Sequence, residues 1–373
     1  MDTRFGLLTT RFLDLSETFI YEPLQLLQGF TAYAYALQRR NKKQFKYPRV
    51  FTLDELPKNV NVFQRLRGKF SAGKSILLKK MKEDNISLLH AHYGYMGIFA
   101  LSLRKKLKLP LVTSFYGLDV YKHTRSFFYR RQLKQLFKYG DLFLVCSEQM
   151  RQDLIALGAP PSRLRVLYGG ATLKKFPFSF RPYQPNKPLN ILMCGRFVEK
   201  KGFVYGVQAF IAAAAKNDNL RLRIIGSGSE EAEIREIINS AQAKDQVEFL
   251  GNKNHDEYIK ELKQCHIFMS PSVTAQSGDK EGLPTVLIEA AALGKPLLAT
   301  LHSGIPEIVH EGKNGYLAPE RDIEKLAENI SRLVEENYRW DDFAEYGRQL
   351  VEKEFCLEKQ VEKLQRFYQE LII

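Results

Sequence analysis

The stretch Phe178-Ser179-Phe180-Arg181-Pro182-Tyr183-Gln184-Pro185-Asn186-Lys187-Pro188 divides the chain between two series of short apolar runs. Its prolines and its lack of any hydrophobic period mark it as a linker. Before it, strand-like runs lie at 5–9, 31–37, 88–92, 110–115, 141–147 and 164–168, separated mostly by helix-length segments. After it, the pattern repeats at 189–194, 220–225, 247–250, 266–271 and 296–301. Strands alternating with helices point to parallel, doubly wound α/β sheets. The 373 residues exceed the size at which one core keeps growing, so two domains are expected. Their expected bounds are 1–182 and 183–355, with a helix of about 356–373 packing back on the first.

Charge divides at the same place. Through residue 185 there are 32 Lys and Arg against 12 Asp and Glu, net +20, whereas the remainder carries 24 against 30, net −6. Within the basic half, the stretch from Tyr121 to Lys138 interleaves Phe127, Phe128, Tyr129, Leu133, Leu136 and Phe137 with Arg125, Arg130, Arg131, Lys134 and Lys138. An anionic membrane surface attracts such cations by about 1 kcal/mol each, and a segment of this kind suits the interface. The alternative is a solvated helix face over a buried apolar one. Nucleic-acid binding is disfavoured, because no recognisable signature of it occurs.

No stretch reaches the roughly 18 apolar residues of a membrane span, and Met1-Asp2-Thr3-Arg4 leads into no signal-peptide pattern, so a cytoplasmic chain is expected. Cys146, Cys194, Cys265 and Cys356 form no Cys-x-x-Cys pair and read as reduced thiols.

The chemistry concentrates in the second half. Glu281-Gly282-Leu283-Pro284-Thr285-Val286-Leu287-Ile288-Glu289 sets two carboxylates eight residues apart, one before and one inside an otherwise apolar helix. A carboxylate among apolar residues needs a hydrogen-bonding partner. Backbone N–H groups after Glu281, where Pro284 opens the helix, suit an anion. Gly195-Arg196 and Lys201-Gly202 follow the run 189–194, which puts Arg196 and Lys201 at a strand's C-terminal end, where open α/β sheets bind ligands. Together a guanidinium fork and an ammonium neutralise a diphosphate.

Two further matches fail on context. Gly68-Lys69-Phe70-Ser71-Ala72-Gly73-Lys74-Ser75 satisfies the phosphate-loop pattern of ATPases, but 59–67 is too polar for a central strand and no acid ends the next one. Gly226-Ser227-Gly228 has Glu231 where a dinucleotide fingerprint needs glycine, which disfavours NAD; Ser229, Glu230 and Glu231 read as a helix start.

With Gly195-Arg196, Lys201-Gly202, Ile225-Gly226-Ser227-Gly228, Val247-Glu248-Phe249-Leu250-Gly251, Glu281 to Glu289 and His302-Ser303-Gly304-Ile305-Pro306-Glu307, the chain resembles the family-4 retaining glycosyltransferases. Leu15-Ser16-Glu17-Thr18-Phe19-Ile20 and His90-Ala91-His92-Tyr93-Gly94 are similar to the exopolysaccharide branch of colanic-acid type. The resemblance implies a GT-B fold, two Rossmann-like domains facing across a cleft, with the acceptor on the N-terminal half. It implies a UDP- or GDP-sugar donor, a glycan or lipid-linked acceptor, and no cofactor. Arg196 and Lys201 would stabilise the leaving diphosphate, Glu281 would bind the donor sugar at the reacting face, and Glu289 would bind the ribose. The backbone of Gly282, Leu283, Pro284 and Thr285, with Gly195, Gly226 and Gly228, would line the sugar and phosphates, and the base would lie near Leu250 and Asn252. Arg11, Ser16, Glu17 and Asp119 are the acceptor-side candidates. No Asp-x-Asp occurs, so no divalent metal is expected.

The chain departs from the family where many members have a catalytic-site His after the strand 111–115; here Tyr116 stands, followed by Gly117-Leu118-Asp119. A phenol can donate a hydrogen bond but is a poor acid/base near neutral pH, which leaves His92 as the nearest substitute. Thr9-Thr10-Arg11-Phe12 also replaces the glycine pair common after the first strand. The rival readings are another sugar-nucleotide enzyme, either an epimerase or a transferase to a soluble acceptor, and a basic surface-binding module with an inactive donor site.

Overall fold

A computed structural model of the protein describes residues 2–14, 17–55, 70–184 and 187–372, with 70–73 described for backbone only. The first sheet comprises β1 (Thr3–Phe12), β2 (Phe30–Arg39), β3 (Val50–Thr52), β4 (Leu88–His92), β5 (Leu111–Phe115), β6 (Leu142–Val145) and β7 (Leu164–Val166). Their order is β3-β2-β1-β4-β5-β6-β7, parallel throughout. Every residue of β4, β5 and β6 is buried, as expected when helices cover both faces of a parallel sheet.

The second sheet comprises β8 (Leu189–Cys194), β9 (Leu220–Ile225), β10 (Val247–Gly251), β11 (Ile267–Ser270), β12 (Leu297–Thr300) and β13 (Gly315–Ala318). Its order, β10-β9-β8-β11-β12-β13, is likewise parallel. In both sheets the order reverses once, between β1 and β4 and between β8 and β11, and each reversal opens a crevice at the strands' C-terminal ends.

Residues Met1–Leu167 with Glu358–Ile373 form one compact unit, and Tyr168–Leu357 the other. The change of unit falls earlier than the composition shift, because 168–182 is strapped to the second unit. Ala171 bridges Cys356, Arg348 donates to the Phe176 carbonyl at 2.8 Å, and Ser179 N–H donates to the Leu293 carbonyl at 3.1 Å. The helix Leu357–Ile372 returns to the first sheet, where Tyr368 packs on Phe5 and Phe30 at 5.0 and 5.3 Å between ring centroids. Edge strands β3 and β13, of three and four residues, are too short to show a period in sequence. Gly73, Lys74 and Ser75 lie inside the helix Phe70–Glu83 rather than in a strand-to-helix loop, while Gly68 and Lys69 lie outside the described residues.

Candidate functional site

The loops leaving β8 and β11 flank the crevice of the second sheet. Gly202 has φ +65°, and a Cβ there would sit 1.9 Å from the Pro271 carbonyl oxygen, so only glycine lets the two loops touch. Gly226, at φ +136°, presses the same way on the carbonyl oxygen of Gly195, at 1.8 Å from where its Cβ would be. Gly195 N–H donates to the Ile225 carbonyl and Phe197 N–H to the Ser227 carbonyl, which ties the β8 loop to β9 and its following loop.

This contact brings residues 80 apart in sequence together. Lys201 Nζ lies 2.9 Å from Glu281 Oε2, and Lys200 Nζ lies 3.3 Å from Glu281 Oε1 and 3.2 Å from Asp279 Oδ2. The Lys200 and Glu281 side chains are only 12% and 11% exposed, so the pair is largely desolvated. Burial alone would push the Glu281 carboxyl up, but the two ammonium groups hold it down at about 2. Burial would lower Lys200, but Glu281 and Asp279 reverse that and raise it.

A second tier fixes the loop. Glu281 N–H donates to His302 Nε2 at 3.0 Å, so Nε2 is the bare nitrogen and Nδ1–H faces Glu320 Oε1 at 2.6 Å. Burial lowers the His302 pKa against the opposing pull of Glu320. Glu320 in turn accepts from Thr274 N–H at 2.7 Å and Thr274 Oγ1 at 3.0 Å. Lys200, Asp279 and Glu320 were not expected from sequence, and His302 only as part of a motif.

Arg196 is exposed at the same loop. Glu289, half-buried on the helix Thr285–Ala292, lies near Cys194 and the buried Tyr258; after burial, its charge is the next cause raising both their pKa values, Cys194 to about 12. Pro284 caps that helix and Gly282 accepts from Gly304 N–H at 3.0 Å, which holds the backbone of 282–285 in place. Gly228 packs on the Phe197 backbone, while Ser227 and Asn252 exchange hydrogen bonds of 2.9 and 3.1 Å beside Leu250 at the end of β10. The sequence-derived donor set therefore gathers at one end of one sheet. Among the described residues no three His, Cys, Asp or Glu side chains are grouped to hold a metal ion.

In the first unit, Tyr93 follows β4 and donates through its hydroxyl to Glu17 Oε1 at 2.9 Å, while Asp14 N–H donates to Glu17 Oε2 at 2.9 Å. Burial raises the Glu17 pKa against these two hydrogen bonds. His92 Nδ1 and Tyr116 Oη share a hydrogen bond of 2.6 Å with parallel rings, and His90 bridges Tyr368 at 2.5 Å and Ser114 at 2.7 Å. Burial lowers the His92 pKa to about 3, so its ring stays neutral and serves to hold the Tyr116 hydroxyl. Asp119, expected on the acceptor side, is fully buried and accepts from Gly94, Tyr116 and Gly117 N–H at 2.7, 3.1 and 3.1 Å. Three backbone donors turn it inward, which makes it a cap rather than an acceptor contact. Arg11 is exposed and lies 3.4 Å from Asp14; Ser16 falls outside the described residues.

These buried rings predict acid sensitivity. His90, His92, His266, His302 and His310 all have lowered pKa values, against three raised carboxyls, Glu17, Asp119 and Glu230. Below about 6.5 the unfolded histidines bind protons that the folded ones refuse, so stability falls with pH. Glu281 acts in the same direction below about 4.5. For His90 and His92 the loss at pH 5.5 is about 1 kcal/mol each, and the thermal midpoint at pH 5.5 should lie below that at pH 7.5. A midpoint that rises on acidification would contradict this.

The family model described as Glycosyl transferases group 1 matches residues 176–350, and that of Glycosyltransferase Family 4 matches 27–175. The chain thus carries a Family 4 glycosyltransferase domain followed by a group 1 glycosyltransferase domain. The glycosyltransferase is 35% identical over 246 residues to the putative colanic acid biosynthesis glycosyltransferase WcaL of Salmonella typhimurium, covering 65% of this chain and 60% of WcaL. It is 33% identical over 261 residues to the amylovoran biosynthesis glycosyltransferase AmsK of Erwinia amylovora, covering 69% of this chain and 64% of AmsK. The matches thus span less than two thirds of these relatives. Its fold is GT-B: the crystal structure of Anabaena HepE in complex with UDP and glucose superposes with TM-score 0.81 over all of both chains, at 17% identity.

Proposed function

We propose that this glycosyltransferase moves a hexosyl group from a UDP- or GDP-sugar to a hydroxyl of a glycan or lipid-linked acceptor, with retention at the anomeric carbon and without a metal ion. The pathway is cell-surface polysaccharide or glycolipid assembly, at the cytoplasmic face of the cell membrane. The proposed attachment is peripheral; no helix among the described residues is long and apolar enough to cross a membrane.

The observation that carries this reading is the Lys201–Glu281–Lys200 cluster at the crevice between β8 and β11. As the bond from anomeric carbon to diphosphate breaks, negative charge builds on the leaving oxygens and positive charge on the sugar. Arg196 and Lys201 supply cations for the first, and the Glu281 carboxylate supplies the matching anion for the second. When a diphosphate draws Lys201 away, Lys200 still neutralises Glu281 and keeps it ionised. Retention requires the acceptor oxygen to enter on the face the diphosphate leaves, so the departing oxygen is the nearest base for the acceptor proton. Glu289 would hold the ribose hydroxyls, remote from the reacting bond. Similarity to WcaL and AmsK supports the polysaccharide setting, and UDP in HepE supports the donor class.

The test is transfer from UDP- and GDP-sugars to extracted lipid-linked acceptors with excess EDTA present. Released nucleoside diphosphate gives turnover, and proton NMR couplings give the anomeric configuration of the product. Donor configuration kept, with EDTA without effect, is the expected result; inversion or a strict Mg²⁺ requirement would contradict it. Glu289→Ala should weaken nucleotide affinity with little change in turnover at saturation, because it removes binding shared by ground and transition states. Unchanged affinity would assign Glu289 a packing role only.

A further inference from the structure

The Ser126 hydroxyl caps the helix Phe127–Tyr139 by accepting from Tyr129 N–H, and the helix buries Leu133, Leu136 and Phe137 against the first sheet. At 3.6 residues per turn, Phe127 and Phe128 point about 120° and 140° away from the Leu133 direction. They are accordingly 65% and 77% exposed, edge to face with one another at 6.0 Å. Phe127, Arg131, Lys134 and Lys138 follow i, i+4, i+7 and i+11, one outward stripe with the aromatic at its N-terminal end. From Lys122 to Tyr139 there are six Lys and Arg and no Asp or Glu. Exposed aromatics inside an all-cationic segment do not suit an aqueous surface, and they match a bilayer with anionic headgroups and an apolar interior.

Position adds a second argument. The Tyr129 hydroxyl lies over Gly94, where an added Cβ would be 2.6 Å away, so the Phe127–Phe128 end of the helix stands at the C-terminal end of β4. A ladder of rings connects it to the cluster of Glu17, Tyr93 and Tyr116 there: Tyr129 to His123 at 5.5 Å, His123 to Tyr95 at 5.7 Å, Tyr95 to Tyr93 at 5.3 Å and Tyr93 to Tyr116 at 5.0 Å. We propose that Phe127 and Phe128 insert into an anionic bilayer while Arg130, Arg131 and Lys134 meet its headgroups. The end of the first sheet that carries Glu17, Tyr93 and Tyr116 then faces the lipid that bears the acceptor. This rests on the lipid-linked acceptor proposed above only for its purpose; the binding itself is independent of catalysis.

The experiment is co-sedimentation of the full chain with vesicles of phosphatidylglycerol in phosphatidylcholine, or of phosphatidylcholine alone. The parent should bind the anionic vesicles, more weakly as salt rises, and the neutral ones poorly. Phe127→Ser with Phe128→Ser should weaken binding about tenfold or more at low salt, and Arg130→Ser with Arg131→Ser should do so by a similar factor, with thermal midpoints kept because all four side chains are exposed. Phe128→Trp should give an emission that shifts to the blue on adding anionic vesicles, against the fully buried Trp340 as a constant background. Equal sedimentation of parent and phenylalanine variant, or no emission shift, would overturn the proposal. So would a lipid-free dimer of the parent that the phenylalanine variant abolishes, since the pair would then be a contact between copies. Vesicle binding without transfer to any lipid-linked acceptor would sink the acceptor assignment and leave the surface standing.

Discussion

Lys201→Ala should lower turnover by about two to three powers of ten while leaving the fold intact, the loss expected when a preorganised cation at a leaving group is removed. The fold survives because Glu281 keeps Lys200 at 3.3 Å, so no buried carboxylate is left without a cation. Arg196→Ala should lose rate on a similar scale, with less effect on stability still, since Arg196 is exposed. Steady-state turnover with thermal midpoints as control separates the two quantities. Near-normal turnover in both variants would remove these side chains from the chemistry.

Glu281→Ala should behave in the opposite sense and cost stability as well as rate. Removing this carboxylate strands Lys200 and Lys201 beside each other in a largely desolvated loop, leaving Lys200 with Asp279 at 3.2 Å as counter-charge and the Lys280 carbonyl at 3.4 Å. Breaking a buried pair from one side costs about 3–5 kcal/mol, less what Asp279 recovers. In a domain of this size about 3 kcal/mol moves the midpoint by roughly 6–12 °C. Adding Lys200→Ala to Glu281→Ala should restore part of that stability without restoring turnover. A midpoint unchanged in Glu281→Ala would show that the three charges are solvated independently.

Much of this architecture was legible because parallel strands buried on both faces read as unbroken apolar runs, as in β4, β5 and β6. The edge strands β3 and β13 carry no such signal. Nor did composition show that 168–182 belongs with the second unit, since that depends on Arg348 and on the return of the chain at Leu357. At the site, Arg196, Lys201, Glu281 and Glu289 stood out as charges at strand ends or among apolar residues. Lys200 did not, because it reaches Glu281 only once the β8 and β11 loops meet through the Gly202–Pro271 contact and the Val273 N–H bond to the Lys200 carbonyl. Asp119 looked like a polar group free for an acceptor, yet three nearby N–H donors consume it. The Phe127–Phe128 pair was legible as aromatic and basic residues interleaved, but only the helix phase separates Leu133, Leu136 and Phe137 as core from the two that remain outside.

The proposed function rests on binding of a nucleoside diphosphate sugar by the second unit through Lys201, Arg196 and Glu289. Calorimetric titration of the full chain with UDP and GDP, with EDTA present, tests it most directly, with Glu289→Ala and Lys201→Ala titrated alongside. Saturable binding of one of the two nucleotides at one site per chain, weakened about tenfold or more in both variants, is the predicted result. Absence of binding to either nucleotide, or equal affinity in all three proteins, would contradict it.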